Sequence, residues 1–550
     1  MRLARDPGLA LCVLALGLGF ALYAPTLGRG LVGYDDTWLV ERDWIVQQHA
    51  LGKVCCALDP GTRAVLGAEY LPVRDLSVML DFAVFGRMYP GHHLTSVLIY
   101  LAAIALWFAA LAAFGVDRRV AGLAVLVWAV HPAHAESVAW LAERKGLLGA
   151  AFAAACALGY ARWRAGASAR WLGLAMIAAV CAVWSKAPSA LAIAALAGLE
   201  LALPARRVSL RRSARGLAAI AAVGAAAFVP VVIVAARMAV VGAGDRAPAG
   251  WLAMALGIHG FYLRLAAMTV GNALSYPIRT AGPGALDLAL GALGLCALAA
   301  ALWRGSPVVR AAAVLWLFGW LPASRLVLPL RDVLVADRYL LVPTLGVALA
   351  IAAGVLAAPR GRTAIAAAIV AFASWRALDA QAAWHDGQTL LARAVASNPD
   401  DGDAWAAYAD ALEAGGQGAR AIELRDRALA RAPTARLELG QALAVMPSDP
   451  ARGRALLERA AQDGEPYAMA DLALVRLGER EPDDALAWAR RATDGQRVYQ
   501  ATWSARCHVA AATGHRDEAA AACALALAID PASCRDRCDA DPAACGCLRE

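Results

Sequence analysis

Long apolar runs occupy most of this 550-residue chain and set the class of fold that it can adopt. Up to about Arg376 these runs approach the roughly 20 residues that cross a hydrocarbon core as a helix. The first of them, Leu9–Leu27, carries no charge. With 60% hydrophobic residues and a mean hydropathy of +0.53, the chain is too apolar for a soluble domain. The sequence therefore predicts an all-α fold whose larger part is a polytopic membrane domain.

We predict about eleven membrane-spanning helices, with the shorter runs treated as tilted or buried spans. They are Leu9–Leu27, Leu94–Phe114, Val120–Val130, Leu147–Trp163, Trp171–Trp184, Pro188–Leu203, Leu217–Val241, Leu286–Trp303, Val308–Leu321, Leu340–Ala358 and Thr363–Trp375. A further stretch, Trp251–Asn272, carries His259 and Arg264 in its middle and is predicted to be re-entrant or horizontal. The first run is longer than the apolar core of a signal peptide, so we expect it to be retained as a helix.

Arginines in alternate connections between the apolar runs predict how the chain is oriented in the membrane. They are Arg2, Arg5, Arg118, Arg119, Arg162, Arg164, Arg170, Arg206, Arg207, Arg211, Arg212, Arg215, Arg304, Arg310, Arg360 and Arg362. The positive-inside rule makes their side cytoplasmic, which explains the net charge of +8 better than a nucleic-acid partner does. The external connections are then Gly28–Pro90, His131–Lys145, Ser185–Ala187 and Pro322–Asp337, and an odd number of spans also places the C-terminus outside.

Two adjacent carboxylates, Asp35 and Asp36, follow the first span closely. In an external loop they would stay hydrated and ionised while facing a substrate held in the membrane, as a general base requires. The alternative is that they are ordinary solvated charges at the exit of a helix.

The second external loop holds His131, His134 and Glu136. These residues could ligate a metal, but Pro132 interrupts helical spacing and the pattern is not that of a zinc hydrolase. Hydrogen bonding at the interface or contact with a substrate is the favoured interpretation. We therefore predict no metal ligands, although a divalent ion would be compatible with the nearby carboxylates.

Cationic residues accompany these acids at the predicted membrane boundary. Arg144 and Lys145 end the second external loop, and Lys186 and Arg338 lie in or beside the later ones. They could act as snorkelling anchors, or they could together neutralise a phosphate group.

Several of these motifs occur in the order found in a known family. They are Asp35-Asp36, Tyr70–Arg74, Gly91–Ser96, His131–Lys145, Ser185-Lys186 and Asp337–Leu340, followed by Pro343 and Gly346. In this respect the membrane domain resembles the TMTC-type transmembrane and tetratricopeptide protein O-mannosyltransferases and their bacterial relatives. These belong to the GT-C superfamily of membrane glycosyltransferases.

The resemblance implies transfer of mannose or a similar hexose from a polyprenyl-phosphate donor to a hydroxyl, with inversion. The acceptor would be Ser or Thr of exported proteins, and no cofactor is firmly implied. Asp35 or Asp36 would be the base, with Glu136 as a second acidic or positioning group. The donor and its phosphate would be contacted by His131, His134, Arg144, Lys145, Lys186, Arg338 and Tyr339.

From Asp379 onward, charged residues recur within an alanine-rich helical pattern. Aligning on Trp405 places small or apolar residues at the spacing of a 34-residue tetratricopeptide repeat. They are Ala409, Leu412, Ala421, Ala428 and Pro433, and a second unit starting at Trp503 has Cys507, Ala519, Ala526 and Pro531. About four repeats would form an α-solenoid, either as a structural cap or to hold an acceptor polypeptide.

The last seventeen residues contain four cysteines, Cys534, Cys538, Cys545 and Cys547. Disulfides in an oxidising periplasm are the favoured interpretation of this tail, and zinc is the alternative. The predicted domains are thus a membrane domain (1–378), a repeat domain (379–533) and a Cys-rich tail (534–550).

Two other functions fit parts of this pattern. An O-antigen or polysaccharide ligase or polymerase also uses lipid-linked sugars but does not depend on an acidic pair after the first span. A non-enzymatic assembly factor would use the repeats for protein–protein interaction and would tolerate removal of the loop charges. We favour a glycosyltransferase of the bacterial inner membrane, with its active-site loops and repeats on the periplasmic side.

Overall fold

A computed structural model describes residues 6–41, 46, 54–65, 69–203, 210–237, 250–324, 326, 335–494 and 499–530. Within these ranges all of the regular secondary structure is helical. The four tail cysteines and the start of the chain lie outside them, so the predicted tail remains a prediction. The chain divides into two compact units, which are described separately. Unit 1 comprises residues 1–50, 71–231 and 245–393, and unit 2 comprises residues 51–70, 232–244 and 394–550.

The α-helices are numbered in chain order. The first seventeen are α1 (Pro7–Tyr23), α2 (Val54–Leu58), α3 (Pro60–Val65), α4 (Pro72–Phe85), α5 (Tyr89–Ala113), α6 (Arg118–Ala129), α7 (Ala135–Ala139), α8 (Arg144–Arg164), α9 (Arg170–Ser185), α10 (Ser189–Ala202), α11 (Leu210–Arg237), α12 (Trp251–Ala266), α13 (Ile278–Ala281), α14 (Ala285–Arg304), α15 (Pro307–Trp320), α16 (Pro343–Ala357) and α17 (Arg362–Ala382). They are followed by α18 (Gly387–Ser397), α19 (Gly402–Ala414), α20 (Gly418–Arg431), α21 (Ala435–Val445), α22 (Pro450–Gln462), α23 (Pro466–Gly478), α24 (Pro482–Asp494), α25 (Gln500–Ala512) and α26 (Arg516–Ile529).

Six helical segments in the described ranges are long and apolar enough to cross a membrane, as expected of an integral membrane protein. They are Pro7–Gly28, Tyr89–Ala113, Leu210–Arg237, Ala285–Arg304, Pro307–Ser324 and Arg362–Ala382. Three shorter apolar helices, α9, α10 and α16, coincide with predicted spans. The all-helical class is confirmed, whereas the total of about eleven spans remains a prediction.

Helices α1 and α6 begin side by side in unit 1. Asp6 caps α1 by accepting the Leu9 N–H at 3.1 Å, and its carboxylate also pairs with Arg118 at 2.6 Å. The two backbones then touch, because a Cβ at Gly8 would lie 2.2 Å from the Arg118 carbonyl oxygen. A small residue is therefore required at this crossing, as in other close helix pairs of membrane proteins.

The same end of unit 1 gathers further basic residues from the arginine-rich connections. Arg164, at the end of α8, pairs with Glu200 of α10 and donates to the Phe114 carbonyl at 3.3 Å. Arg212 of α11 donates to the Trp163 carbonyl at 2.8 Å. Because α8 runs from Arg144 to Arg164, its first residues lie at the opposite end of unit 1 from this arginine cluster.

Helix α12 covers most of the stretch predicted to be re-entrant, and its polar residues are satisfied by neighbouring helices. The buried His259 accepts the Trp316 indole N–H at 3.1 Å and lies 3.2 Å from the Gly291 carbonyl. Arg264 pairs with Asp287 at 2.7 Å. The face of α12 that carries His259 and Arg264 therefore packs against α14 and α15. The orientation of α12 relative to a membrane stays a prediction.

In unit 2, short helices joined by brief connections pack pairwise: α19 with α20, α21 with α22, α23 with α24, and α25 with α26. The aligned positions Ala409, Leu412 and Ala421 form one buried cluster. A second cluster contains Ala406, Ala428 and Leu437. Small side chains at these positions let paired helices approach closely.

A disulfide joins Cys507 of α25 to Cys523 of α26, with 5.0 Å between the Cα atoms. Cys507 was predicted to be a small repeat residue. Its pairing was not predicted, because a repeat alignment does not show that the two side chains face each other. Structural disulfides occur mostly in proteins of oxidising compartments.

Replacing both Cys507 and Cys523 by serine is expected to lower the stability of unit 2 by about 3 kcal/mol, the loop-closure value for a link of this span. Urea unfolding of unit 2, monitored by limited proteolysis, measures this change in stability. Cys12 of α1, a buried free cysteine in unit 1, supplies the matched control when replaced by serine. Equal midpoints for reduced, oxidised and serine forms of unit 2 would contradict the prediction.

Candidate functional site

The segment between α6 and α8 folds as three short helical turns. They are the 3₁₀ turns Pro132–His134 and Leu141–Glu143 with α7 between them. Trp140 has an extended backbone (φ −95°, ψ 117°), which ends α7 and starts a new turn. Two acidic side chains of this segment, Glu136 and Glu143, are consequently both buried in unit 1.

Glu136 and Glu143 form one ion network with Arg338 and Lys186. Glu136 accepts the backbone N–H of Arg338 at 2.8 Å and pairs with the guanidinium of the same residue. Glu143 pairs with the Lys186 ammonium and lies 4.0 Å from Arg338 Nε. The structure thus brings together three residues singled out from the sequence, namely Glu136, Lys186 and Arg338. Glu143 was not singled out.

Aromatic rings flank the two cations of this network. The Tyr339 ring centroid lies 5.6 Å from Lys186 Nζ and 5.2 Å from Arg338 Cζ. Arg338 Cζ also lies 5.5 Å from the Trp140 ring centroid. Cation–π contacts at these distances hold the cations in place without consuming their N–H donors.

An open cleft begins at these cations. Its walls are contributed mainly by α8, α10, α15 and the chain leading into α16. The lining residues are Gly146, Ala150, Lys186, Pro188, Ser189, Ala192, Phe318, Gly319, Pro322, Arg338, Tyr339, Leu341 and Val342. The cleft is therefore mainly apolar and ends at an ammonium and a guanidinium, each of which is paired with a buried carboxylate.

The acidic pair after α1 directly follows a turn with left-handed backbone. Gly33 and Tyr34 have positive φ values of 74° and 53°. The two carboxylates then differ: Asp36 is buried, with one oxygen 2.8 Å from the Ala142 N and the other 3.2 Å from the Val32 N, whereas Asp35 is half-buried. Burial raises the pKa of Asp36 to about 7, although the two backbone donors act in the opposite direction.

Asp337, next to Arg338, was quoted from the sequence only as part of a motif. The structure buries it and surrounds it with donors: the Tyr276 hydroxyl at 2.5 Å and the Asn272 amide at 2.7 Å. Burial raises its pKa to about 7, and the neighbouring charge of Glu136 adds to the shift. Its partners come from a distant part of the sequence, which is why spacing alone gave no signal.

Arg144 has internal partners instead of a place at the cleft. Its guanidinium pairs with Asp81 at 2.6 Å and donates to the His92 carbonyl at 2.6 Å and to Ser96 at 3.2 Å. These contacts tie the start of α8 to α4 and α5. The adjacent Lys145 lies close enough to Lys186 that its charge lowers the pKa of that ammonium, although burial is the larger cause.

The two histidines also use their ring nitrogens within the protein. His131 Nε2 lies 3.1 Å from the Ala266 carbonyl, and the Ala133 N–H donates to its Nδ1 at 3.2 Å. His134 contacts the Tyr100 hydroxyl at 2.8 Å and Thr344 at 2.9 Å. Both rings are buried, so they connect helices of unit 1. Among the described residues, His, Cys, Asp and Glu form no group of three arranged to hold a metal ion.

Comparisons with known proteins assign no family. No protein-family model matches the sequence, and no curated protein matches it. The chain is similar to solved structures of the Archaeoglobus fulgidus oligosaccharyltransferase. A form tethered to an acceptor peptide gives a TM-score of 0.42 at 14% identity, covering 75% of this chain and 58% of that one.

Two further structures of that enzyme give similar values. The apo form has a TM-score of 0.42 at 14% identity, with 73% and 59% of the two chains covered. The archaeal AglB complex with an inhibitory peptide and a dolichol-phosphate has a TM-score of 0.41 at 13% identity, with 76% and 60% covered. The chain thus covers less than two thirds of each of these proteins, and TM-scores below 0.5 do not establish a shared fold.

Proposed function

We propose that this chain is a GT-C-type membrane glycosyltransferase that moves a hexose from a polyprenyl-phosphate donor to a hydroxyl group. The observation that carries the proposal is the apolar cleft ending at Lys186 and Arg338. A polyprenyl chain needs an apolar cleft, and its phosphate needs fixed cations where water is partly excluded. Mannose as the sugar, and Ser or Thr of exported proteins as the acceptor, follow from the motif resemblance.

In the proposed reaction Asp35 is the general base. Its carboxylate takes the proton of the acceptor hydroxyl while the acceptor oxygen bonds to the anomeric carbon. The bond from that carbon to the phosphate oxygen breaks, its electron pair leaves with the phosphate, and the configuration inverts. Lys186 and Arg338 stabilise the departing phosphate, with Lys145 nearby and Tyr339 against both cations.

The other singled-out residues have supporting roles in this proposal. Asp36 braces the turn that presents Asp35 through its hydrogen bonds to Val32 and Ala142. Glu136 positions Arg338 through its backbone N–H and guanidinium. Arg144, His131 and His134 do not contact the substrate in this proposal. They hold helices of unit 1 together and thereby position the residues that do.

For unit 2 we propose a tetratricopeptide solenoid that holds the acceptor polypeptide on the external side of a bacterial inner membrane. The paired helices with buried small residues support the repeat assignment. The Cys507–Cys523 disulfide supports an oxidising compartment, and the alternating arginine-rich connections support the orientation. The domain limits 1–378 and 379–533 belong to this proposal.

Turnover by the full-length protein in lipid nanodiscs tests the proposed function. We expect consumption of a polyprenyl-phosphate hexose, with equimolar polyprenyl phosphate and one hexose on a Ser- or Thr-containing peptide, detected by mass spectrometry. Nanodiscs without protein and donors carrying a diphosphate oligosaccharide are the controls. Consumption of the diphosphate donor alone, or of no donor, would overturn the proposal.

A further inference from the structure

Tyr34 is held in an unusual position beside the candidate base. Its φ of 53° lies in the left-handed region that most side chains avoid, and its side chain is 42% exposed. A large ring that is partly exposed adds little to a hydrophobic core. Glycine or asparagine would adopt this left-handed backbone at a lower cost than tyrosine. Such a combination is typical of a residue that contacts a ligand.

The Tyr34 ring is supported from behind by buried aromatic residues. Its centroid lies 5.7 Å from that of Trp140 at an interplanar angle of 52°. Trp140 in turn stacks on Trp384 at 5.5 Å and 26°. The Trp140 side chain is buried, so Tyr34 is the outermost ring of this stack.

Charged groups of the candidate site act on the Tyr34 phenol. The charges of Asp35, Glu136, Arg338 and Arg279 all interact with it. Arg338 also lies against Trp140, the ring that supports Tyr34. Tyr34 and Arg338 thus contact the same ring, Trp140, and Asp35 follows Tyr34 directly in the chain.

We infer that Tyr34 is a stacking platform for the hexose of the lipid-linked donor. This inference rests on the proposed function. A sugar joined to a phosphate at Arg338 would meet the exposed face of Tyr34, which precedes Asp35 in the chain. The C–H faces of a pyranose pack on aromatic rings, and its hydroxyls suit the charged groups around them. The platform orients the anomeric carbon between the base and the leaving group.

Paired affinities of the full-length protein in nanodiscs test the inference. The probes are a polyprenyl-phosphate hexose and the same polyprenyl phosphate without sugar. Wild type should bind the sugar form at least about tenfold more tightly, and Tyr34→Phe, which keeps the ring, should retain that preference. Tyr34→Asn removes the ring but suits a left-handed backbone, and it should abolish the preference while leaving the affinity for bare polyprenyl phosphate unchanged.

The outcomes separate this inference from the proposal on which it rests. An unchanged preference in Tyr34→Asn, an equal loss of both affinities, or no sugar preference in wild type would overturn the platform even if turnover is normal. Failure of wild type to bind or consume any polyprenyl-phosphate hexose would overturn the proposed function and the platform with it. A thermal unfolding midpoint for each variant establishes that the compared proteins are folded.

Discussion

Replacing Asp35 by asparagine is expected to lower the rate of hexose transfer roughly a thousandfold, within the range found when a general base is removed. The amide is nearly isosteric with the carboxylate but cannot accept the proton of the attacking hydroxyl. Donor binding should change little, because the phosphate and lipid contacts lie at Lys186, Arg338 and the apolar cleft. Single-turnover transfer in nanodiscs, with donor affinity measured separately, checks both parts of this expectation.

Asp36→Asn is the matched control, since it makes the same chemical change one residue away. Both Asp36 oxygens accept backbone N–H groups, so an amide would leave the donor facing its NH₂ group unsatisfied, at a cost of about 1–3 kcal/mol. We expect this variant to lose stability and to keep most of its transfer rate per folded molecule. Normal transfer by Asp35→Asn, or a larger loss in Asp36→Asn, would contradict the assignment of Asp35 as the base.

The pH dependence of stability tests the burial of Asp36. The pKa of Asp36 rises from 3.8 to about 7 on folding, so the folded protein holds a proton that the unfolded chain releases. Its contribution is fully present below pH 3.8 and is lost as the pH rises toward 7, by at most about 4 kcal/mol. Thermal unfolding of wild type should therefore shift downward between pH 5 and about 8, and Asp36→Asn should reduce this shift.

Much of the fold could be predicted from the sequence, because the membrane-spanning helices of such proteins are recognisable as long apolar runs. Within the described residues the predicted runs of unit 1 are largely helical, and the small residues aligned on Trp405 are buried between paired helices. What the sequence did not reveal depends on side-chain direction. The Cys507–Cys523 disulfide and the partners of His259 on α14 and α15 follow from how helices face one another in space.

The candidate site was predictable to the extent that its residues lie in a few short motifs. Lys186 and Arg338 were singled out as cations for a phosphate, and Glu136 as a second acidic or positioning group. The three residues meet in one network. Arg144 could not be separated from them by sequence, because its partner Asp81 lies on another helix. The difference between Asp35 and Asp36 was equally hidden, since it depends on an N–H group of Ala142 far along the chain.

Replacing Arg338 by glutamine is expected to have the largest effect on folding and to abolish transfer. The change leaves the buried Glu136 without its cationic partner, which typically costs roughly 3–5 kcal/mol. It also removes the guanidinium proposed to stabilise the leaving phosphate. The thermal unfolding midpoint and single-turnover transfer should both fall, so this variant alone does not distinguish a structural from a catalytic role.

A double variant, Glu136→Gln with Arg338→Gln, separates those two roles. Removing both charges eliminates the orphaned carboxylate, so most of the lost stability should return, because a neutral replacement of a buried ion pair is often nearly free of cost. Transfer should not return, because no cation remains at that side of the phosphate. The equivalent pair of changes at Arg264 and Asp287, an ion pair outside the network, should leave transfer near the wild-type rate. A double variant that folds and transfers normally would remove Arg338 from the mechanism, since a leaving phosphate in a partly dry cleft needs a fixed counter-charge at the moment its bond breaks.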